Sequence, residues 1–170
     1  MHVVVVYESM FGNTEEAARA IALGLSSAAS VDLYDVSVAP TIIGSDVDLL
    51  VVGGPTHGFG SIHPQTSADA TSRTTRPIAS QGDGLREWIA QLDVVPGTLV
   101  AAFDTKMARP RLTGSAARRA LSRLHHRGAE AVSTPMTFHV DGTTGPLLEG
   151  ELDRATLWGH ALAQRAPVRR

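Results

Sequence analysis

The chain has 170 residues, 43% hydrophobic and 19% charged, with a formal net charge of −2. That composition suits a single globular domain able to bury roughly 70% of its unfolded surface. Near-neutral charge gives no ground for an obligatory nucleic-acid or membrane partner, and no apolar run approaches the roughly 20 residues of a membrane helix. The chain has no cysteine, which excludes disulfides, thiolate metal centres and cysteine nucleophiles. No metal site is expected. The N-terminal VVVV follows no basic stretch and is too short for a secretory signal, so a cytoplasmic protein is expected.

His2–Tyr7 is the first predicted strand, apolar at every position from Val3 to Val6 rather than alternating, as a strand covered on both faces should be. A helical stripe of Ala17, Ala18, Ile21, Ala22 and Leu25 follows, with Glu15 and Glu16 favourably placed in its first turn. Strands are predicted at 31–36 and 48–53, joined by a link too short for a helix. Residues 61–81 hold eight Ser or Thr and no apolar periodicity, the mark of a functional flap or a mobile segment. Leu85, Trp88, Ile89 and Leu92 make the next helical stripe. A strand at 99–103 leads to a stripe of Ala117, Ala120, Leu121 and Leu124, ended near Gly128. A strand at 131–138 and a helix carrying Leu152, Ala155, Gly159 and Leu162 complete the pattern. Strand–helix alternation of this kind predicts a three-layer, doubly wound α/β fold with a five-stranded parallel sheet. We expect one domain over 1–166, with the polar loop at 61–81 and a short tail at 167–170.

The first strand ends in a loop reading Ser9-Met10-Phe11-Gly12-Asn13-Thr14 that opens directly into a helix. A strand feeding a helix N-terminus aims several backbone N–H groups at one spot, backed by the positive end of the helix dipole, and that spot suits a phosphate. No Lys or Arg lies in residues 1–18, so the donors would be neutral. A Walker loop needs Gly-Lys-Ser/Thr and a dinucleotide fingerprint needs G-x-G-x-x-G; neither is present. The third strand ends in Gly53-Gly54-Pro55 rather than the aspartate of a response-regulator receiver.

These motifs resemble the flavodoxin-like FMN-binding family, whose first loop reads approximately Ser/Thr-x-Thr-Gly-Asn-Thr; Phe11 stands here for its usual hydroxyl residue. The segment Gly53-Gly54-Pro55-Thr56-His57-Gly58-Phe59-Gly60 is similar to that family's Gly-x-Pro-Thr loop, closest to the version in its quinone reductases. A third loop, Phe103-Asp104-Thr105-Lys106, is expected where the family makes its last flavin contacts. The resemblance implies noncovalent FMN. Ser9, Met10, Phe11, Gly12, Asn13 and Thr14 would hold the phosphate, and Pro55, Thr56, His57, Gly58, Phe59 and Gly60 would border the ring. Asp104 and Thr105 would meet the pyrimidine edge or ribityl chain, and Gly58 would supply peptide flexibility near the flavin. His57 is a candidate for proton transfer, with a solvated loop histidine as its alternative.

The acidity and stacked aromatic ring of electron-carrier flavodoxins are missing. Instead, residues 105–129 hold seven Lys or Arg and no acid. Arg119, Arg123 and Arg127 read as a solvated helix face, whereas Lys106, Arg109 and Arg111 are expected to attract an anion at the flavin rim. The leading expectation is an FMN-dependent electron carrier between proteins. The alternatives are an NAD(P)H-dependent quinone or nitro-compound reductase and a flavin-free binding domain. The partner is accordingly a redox protein or NAD(P)H, and the oligomeric state is open.

Overall fold

The computed structural model describes residues 1–56, 84–109 and 114–166; the loop at 61–81 and the tail at 167–170 lie outside the described residues. In chain order the elements are β1 (His2–Tyr7), α1 (Asn13–Leu25), β2 (Ser30–Asp35), β3 (Ile42–Ile43), β4 (Leu49–Pro55), α2 (Leu85–Gln91), β5 (Asp93–Val94), β6 (Leu99–Met107), α3 (Ala116–His126), β7 (Glu130–Ala131), β8 (Met136–Val140) and α4 (Glu151–Arg165). The main sheet runs β2-β1-β4-β6-β7, with β8 also on β6, and every pairing in it is parallel.

The alternation of β1 accounts for its unbroken apolar sequence. Val3, Val5 and Tyr7 pack with Ala17, Ile21, Trp158 and Leu162 of α1 and α4. Val4 and Val6 pack on the other face with Trp88, Ile89, Ala120 and Leu124 of α2 and α3. Each face of the sheet is thus closed by two helices, and the doubly wound reading holds. Among the described residues, no helix is long and apolar enough to cross a membrane.

Two expectations change. The strand expected at 131–138 is broken: β7 pairs with Leu99 and Val100, while β8 pairs from Phe103 to Met107. Pro135 lies in the gap, where its missing N–H cannot serve a ladder. The fifth sheet position is therefore filled by two short strands. In addition, Ile42–Ile43 and Asp93–Val94 form a separate parallel pair, too short for periodicity to register.

Helices α1 and α4 cross at their glycines. A Cβ on Gly24 would lie 2.1 Å from the Thr156 carbonyl oxygen, and one on Gly159 would lie 2.3 Å from that of Ile21. Backbone blocks both, so the helices would have to separate. In an exposed helix Gly→Ala gains about 1 kcal/mol; here overpacking reverses the sign. Gly24→Ala and Gly159→Ala are each expected to lower urea-unfolding stability by about 1–3 kcal/mol, and a gain in stability would refute this crossing.

Candidate functional site

The sheet's C-terminal edge gathers the first-loop residues with Pro55, Thr56, Asp104 and Thr105. Gly12 has φ +89 and serves as the N-cap of α1, without a side-chain cap. Open space surrounds the place its Cβ would occupy, so the glycine is needed for the left-handed backbone itself. The fully buried Ser9 hydroxyl accepts the Gly12 N–H at 3.1 Å, bracing the loop from beneath. The N–H groups of Asn13, Thr14 and Glu15 open α1 and have no intrahelical acceptor. Met10 is buried and Phe11 half-buried. Glu15 does not leave a bare negative charge beside these donors, because Arg19 holds it at 2.7 Å. Asn13 donates to the Thr144 carbonyl at 3.0 Å, and Gly145 packs so closely that a Cβ there would meet the Asn13 amide. This 144–145 contact had no signal in the sequence.

Asp104 and Thr105 lie within β6 rather than in a loop after it, since the ladders to β4 and β8 continue through them. The fully buried Asp104 carboxylate accepts from the Thr56, Ser115 and Thr137 hydroxyls at 2.9, 2.6 and 2.7 Å, and from the Ala117 N–H at 3.1 Å. Its charge is thus held by internal donors. Thr56 is held further: its hydroxyl accepts the Ala116 N–H at 2.8 Å and its own N–H donates to the Thr105 carbonyl at 2.8 Å. On the opposite face of β6, the Thr105 and Thr14 hydroxyls bond at 2.7 Å, both buried. The first turn of α1 is thereby tied to the strand that carries Asp104.

Sequence reasoning missed Glu8, although it is the one acid in residues 1–14. Its N–H donates to the Gly53 carbonyl at 2.9 Å, and its buried carboxylate accepts the Leu85 N–H at 2.8 Å. Burial pushes this carboxyl up to about 7, opposed by the Leu85 hydrogen bond and reinforced by Glu87 and Asp35. His57, Gly58, Phe59, Gly60 and Arg111 lie outside the described residues. Lys106 does not stand free, since its ammonium donates to the Gly114 carbonyl at 2.9 Å, while Arg109 is exposed. Among the described residues, no group of His, Asp and Glu is placed to hold a metal ion.

A sequence profile of the flavodoxin family matches residues 5–157. The chain belongs to the flavodoxin family. Solved flavodoxins share its fold: oxidised flavodoxin 1 of Bacillus cereus is 18% identical, with a TM-score of 0.68 over 98% of this chain and 100% of that one. The flavodoxin of Streptococcus pneumoniae is 20% identical, with a TM-score of 0.68 over 96% and 99%. A WrbA-like flavodoxin from Agrobacterium tumefaciens is 21% identical, with a TM-score of 0.57 over 97% and 96%. No curated protein sequence matches the chain. Membership of the flavodoxin family implies a flavin, and the cradle fits its phosphate end: a left-handed glycine, a braced loop and a fan of helix-opening N–H groups.

Two outcomes follow for this member of the family. Asp104→Asn substitutes an NH2 donor for an oxygen that faces only donors, and should cost about 2–4 kcal/mol in urea unfolding; an unchanged midpoint would refute the clamp. The Glu8 carboxyl, at 4.5 unfolded and about 7 folded, takes up protons on folding. Stability should therefore fall as pH rises between those values, by about 3 kcal/mol. Glu8→Gln keeps an acceptor for Leu85, so urea unfolding at about pH 5 and about pH 8 should show the variant losing this fall. Parallel pH profiles would contradict the assignment.

Proposed function

We propose that this chain binds FMN noncovalently and carries electrons between partner proteins. The observation that supports it most is the neutral phosphate cradle at the start of α1, built on Gly12 at φ +89 with Ser9 beneath it. Bound FMN supplies one- and two-electron redox chemistry, which the protein tunes and makes accessible.

The residues of the chain then have separable tasks. The N–H groups of Asn13, Thr14 and Glu15 receive the phosphate, aided by the helix dipole. Thr14 stays in place through Thr105, and Thr56 through Asp104 and Ala116. Pro55 and Thr56 form a rigid border for the ring, since their positions are fixed by the β4–β6 ladder and the Asp104 clamp. Rigidity at this border suits electron transfer, where the cofactor's surroundings should reorganise little between redox states.

Gly12→Ala tests the cradle. A side chain in the left-handed region costs roughly 1–2 kcal/mol, so FMN affinity measured by fluorescence quenching should fall about tenfold, with the fold retained by circular dichroism. Unchanged affinity would place the phosphate elsewhere. The carrier assignment is checked by mixing the FMN-loaded protein with NADPH alone in a stopped-flow instrument. Slow reduction is expected, and rapid reduction followed by turnover with a quinone would replace the carrier with a reductase.

A further inference from the structure

The basic residues of α3 do not form a uniform solvated face. Arg127 bridges to the C-terminal end of α2, donating to the Leu92 carbonyl at 2.7 Å and also to that of Ala90. Arg119 and Arg123 instead line a cleft between α2 and α3, and Arg86 of α2 joins them there. Among the described residues, none of these three arginines has an ion-pair partner. Burial and the charges of Arg86 and Arg119 lower the pKa of Arg123, while Glu87 partly offsets them. Three like charges are therefore gathered here, facing Glu87 and the buried Glu8.

We infer that the Arg86–Arg119–Arg123 cleft is the docking site for a carboxylate on an acidic electron-transfer protein. This rests on the carrier reading, and it names the kind of partner.

Three observations select that occupant. The cleft encloses about 40 Å³, room for a side-chain carboxylate but far below the roughly 300 Å³ at which nucleotide-sized pockets begin. Guanidinium groups are suited to such a carboxylate, which they bind in a two-pronged fork. The walls include Pro55 and Leu85, so the cleft reaches the C-terminal end of β4, at the proposed flavin border. A partner seated there would lie beside the cofactor.

The charge distribution points the same way. Residues 105–129 hold seven of the fifteen Lys and Arg and none of the seventeen acids. The eleven residues of α3 span only about 16 Å. A local acidic patch on a protein matches a strip of that length. A long polyanion, or an anionic membrane, would meet the rest of the chain, whose formal charge is −9. Glu87 and the buried Glu8 also line the cleft, so the three arginines outnumber the acids there. A separate, open groove of about 640 Å³ adjoins the cleft at Ile89 and Arg123 and is lined further by Leu92, Asp93, Val94 and Arg127, giving a partner apolar contact beside the charged anchor.

The test uses the full chain, with an acidic ferredoxin and a basic cytochrome c as probe proteins, and titration calorimetry at about 20 mM and about 200 mM salt. The wild-type protein should bind the ferredoxin, and at least about tenfold more weakly at the higher salt. Replacing the three arginines together by Gln should weaken binding about tenfold or more, while Arg165→Gln on α4 should leave it unchanged. Replacing all three by Glu should transfer the preference to the cytochrome, a gain that an unfolded variant cannot give. Equal ferredoxin affinity in the wild-type and Gln forms would overturn the proposal, as would tight NADPH or duplex-DNA binding lost in the same Gln variant. FMN titration of the same samples separates the two readings. Protein binding that needs the arginines, in a chain that ignores FMN, sinks the carrier reading and leaves the docking site; FMN binding without it does the reverse.

Discussion

The Asp104 carboxylate is the interaction on which the working end of this protein depends. A buried carboxylate is costly unless several donors surround it, and here four do so from β4's exit, α3's first turn and β8. Ser115 is the N-cap of α3 and also bonds Asp104, so the same residue starts the helix and joins it to the strand. Because Asp104 lies on one face of β6 and Thr105 on the other, one strand fixes both the Thr56 border and, through Thr14, the first turn of α1. The sheet supplies the frame, and this pair of neighbouring residues sets the relative positions of the loops at its edge.

Glu8 works alongside that clamp in a different way. It follows β1, binds the Gly53 carbonyl through its backbone and holds the start of α2 through its carboxylate. The residue immediately before the phosphate loop is thus tied to the helix that carries Arg86. Its carboxyl titrates near neutrality because burial outweighs the Leu85 hydrogen bond. The first loop, Thr56 and the basic cleft therefore share one set of supports, so the proposed phosphate cradle and the proposed docking face are adjacent but separate.

Much of this was legible in the sequence, for identifiable reasons. The Val3–Val6 run reads as a strand covered on both faces, and the helical stripes place Ala17, Ile21, Ala155 and Leu162 against it, although Leu152, expected on the same stripe, is exposed. Gly12 was legible because it stands where a strand feeds a helix and in the Gly-Asn-Thr order of the family's first loop. Asp104 and Thr105 were misplaced into a loop because polar residues at a strand end resemble a turn; only their partners across the ladders show that β6 continues to Met107. The split of the fifth strand follows from Pro135, a local signal overridden by the apolar residues on either side. Glu8 and the Arg86–Arg119–Arg123 cleft were not legible, since Glu8 meets Leu85 only when α2 packs on the sheet and the cleft forms only when α2 lies beside α3.

The central claim is that the start of α1 holds the phosphate of a flavin. Titrating the apoprotein with FMN and, in parallel, with riboflavin, which differs only in lacking that phosphate, tests it most directly. The account predicts saturable FMN quenching with affinity at least about a hundredfold above that for riboflavin, the difference expected from several charge-assisted hydrogen bonds to a helix N-terminus. Equal affinity for the two, or no binding of either, would contradict it.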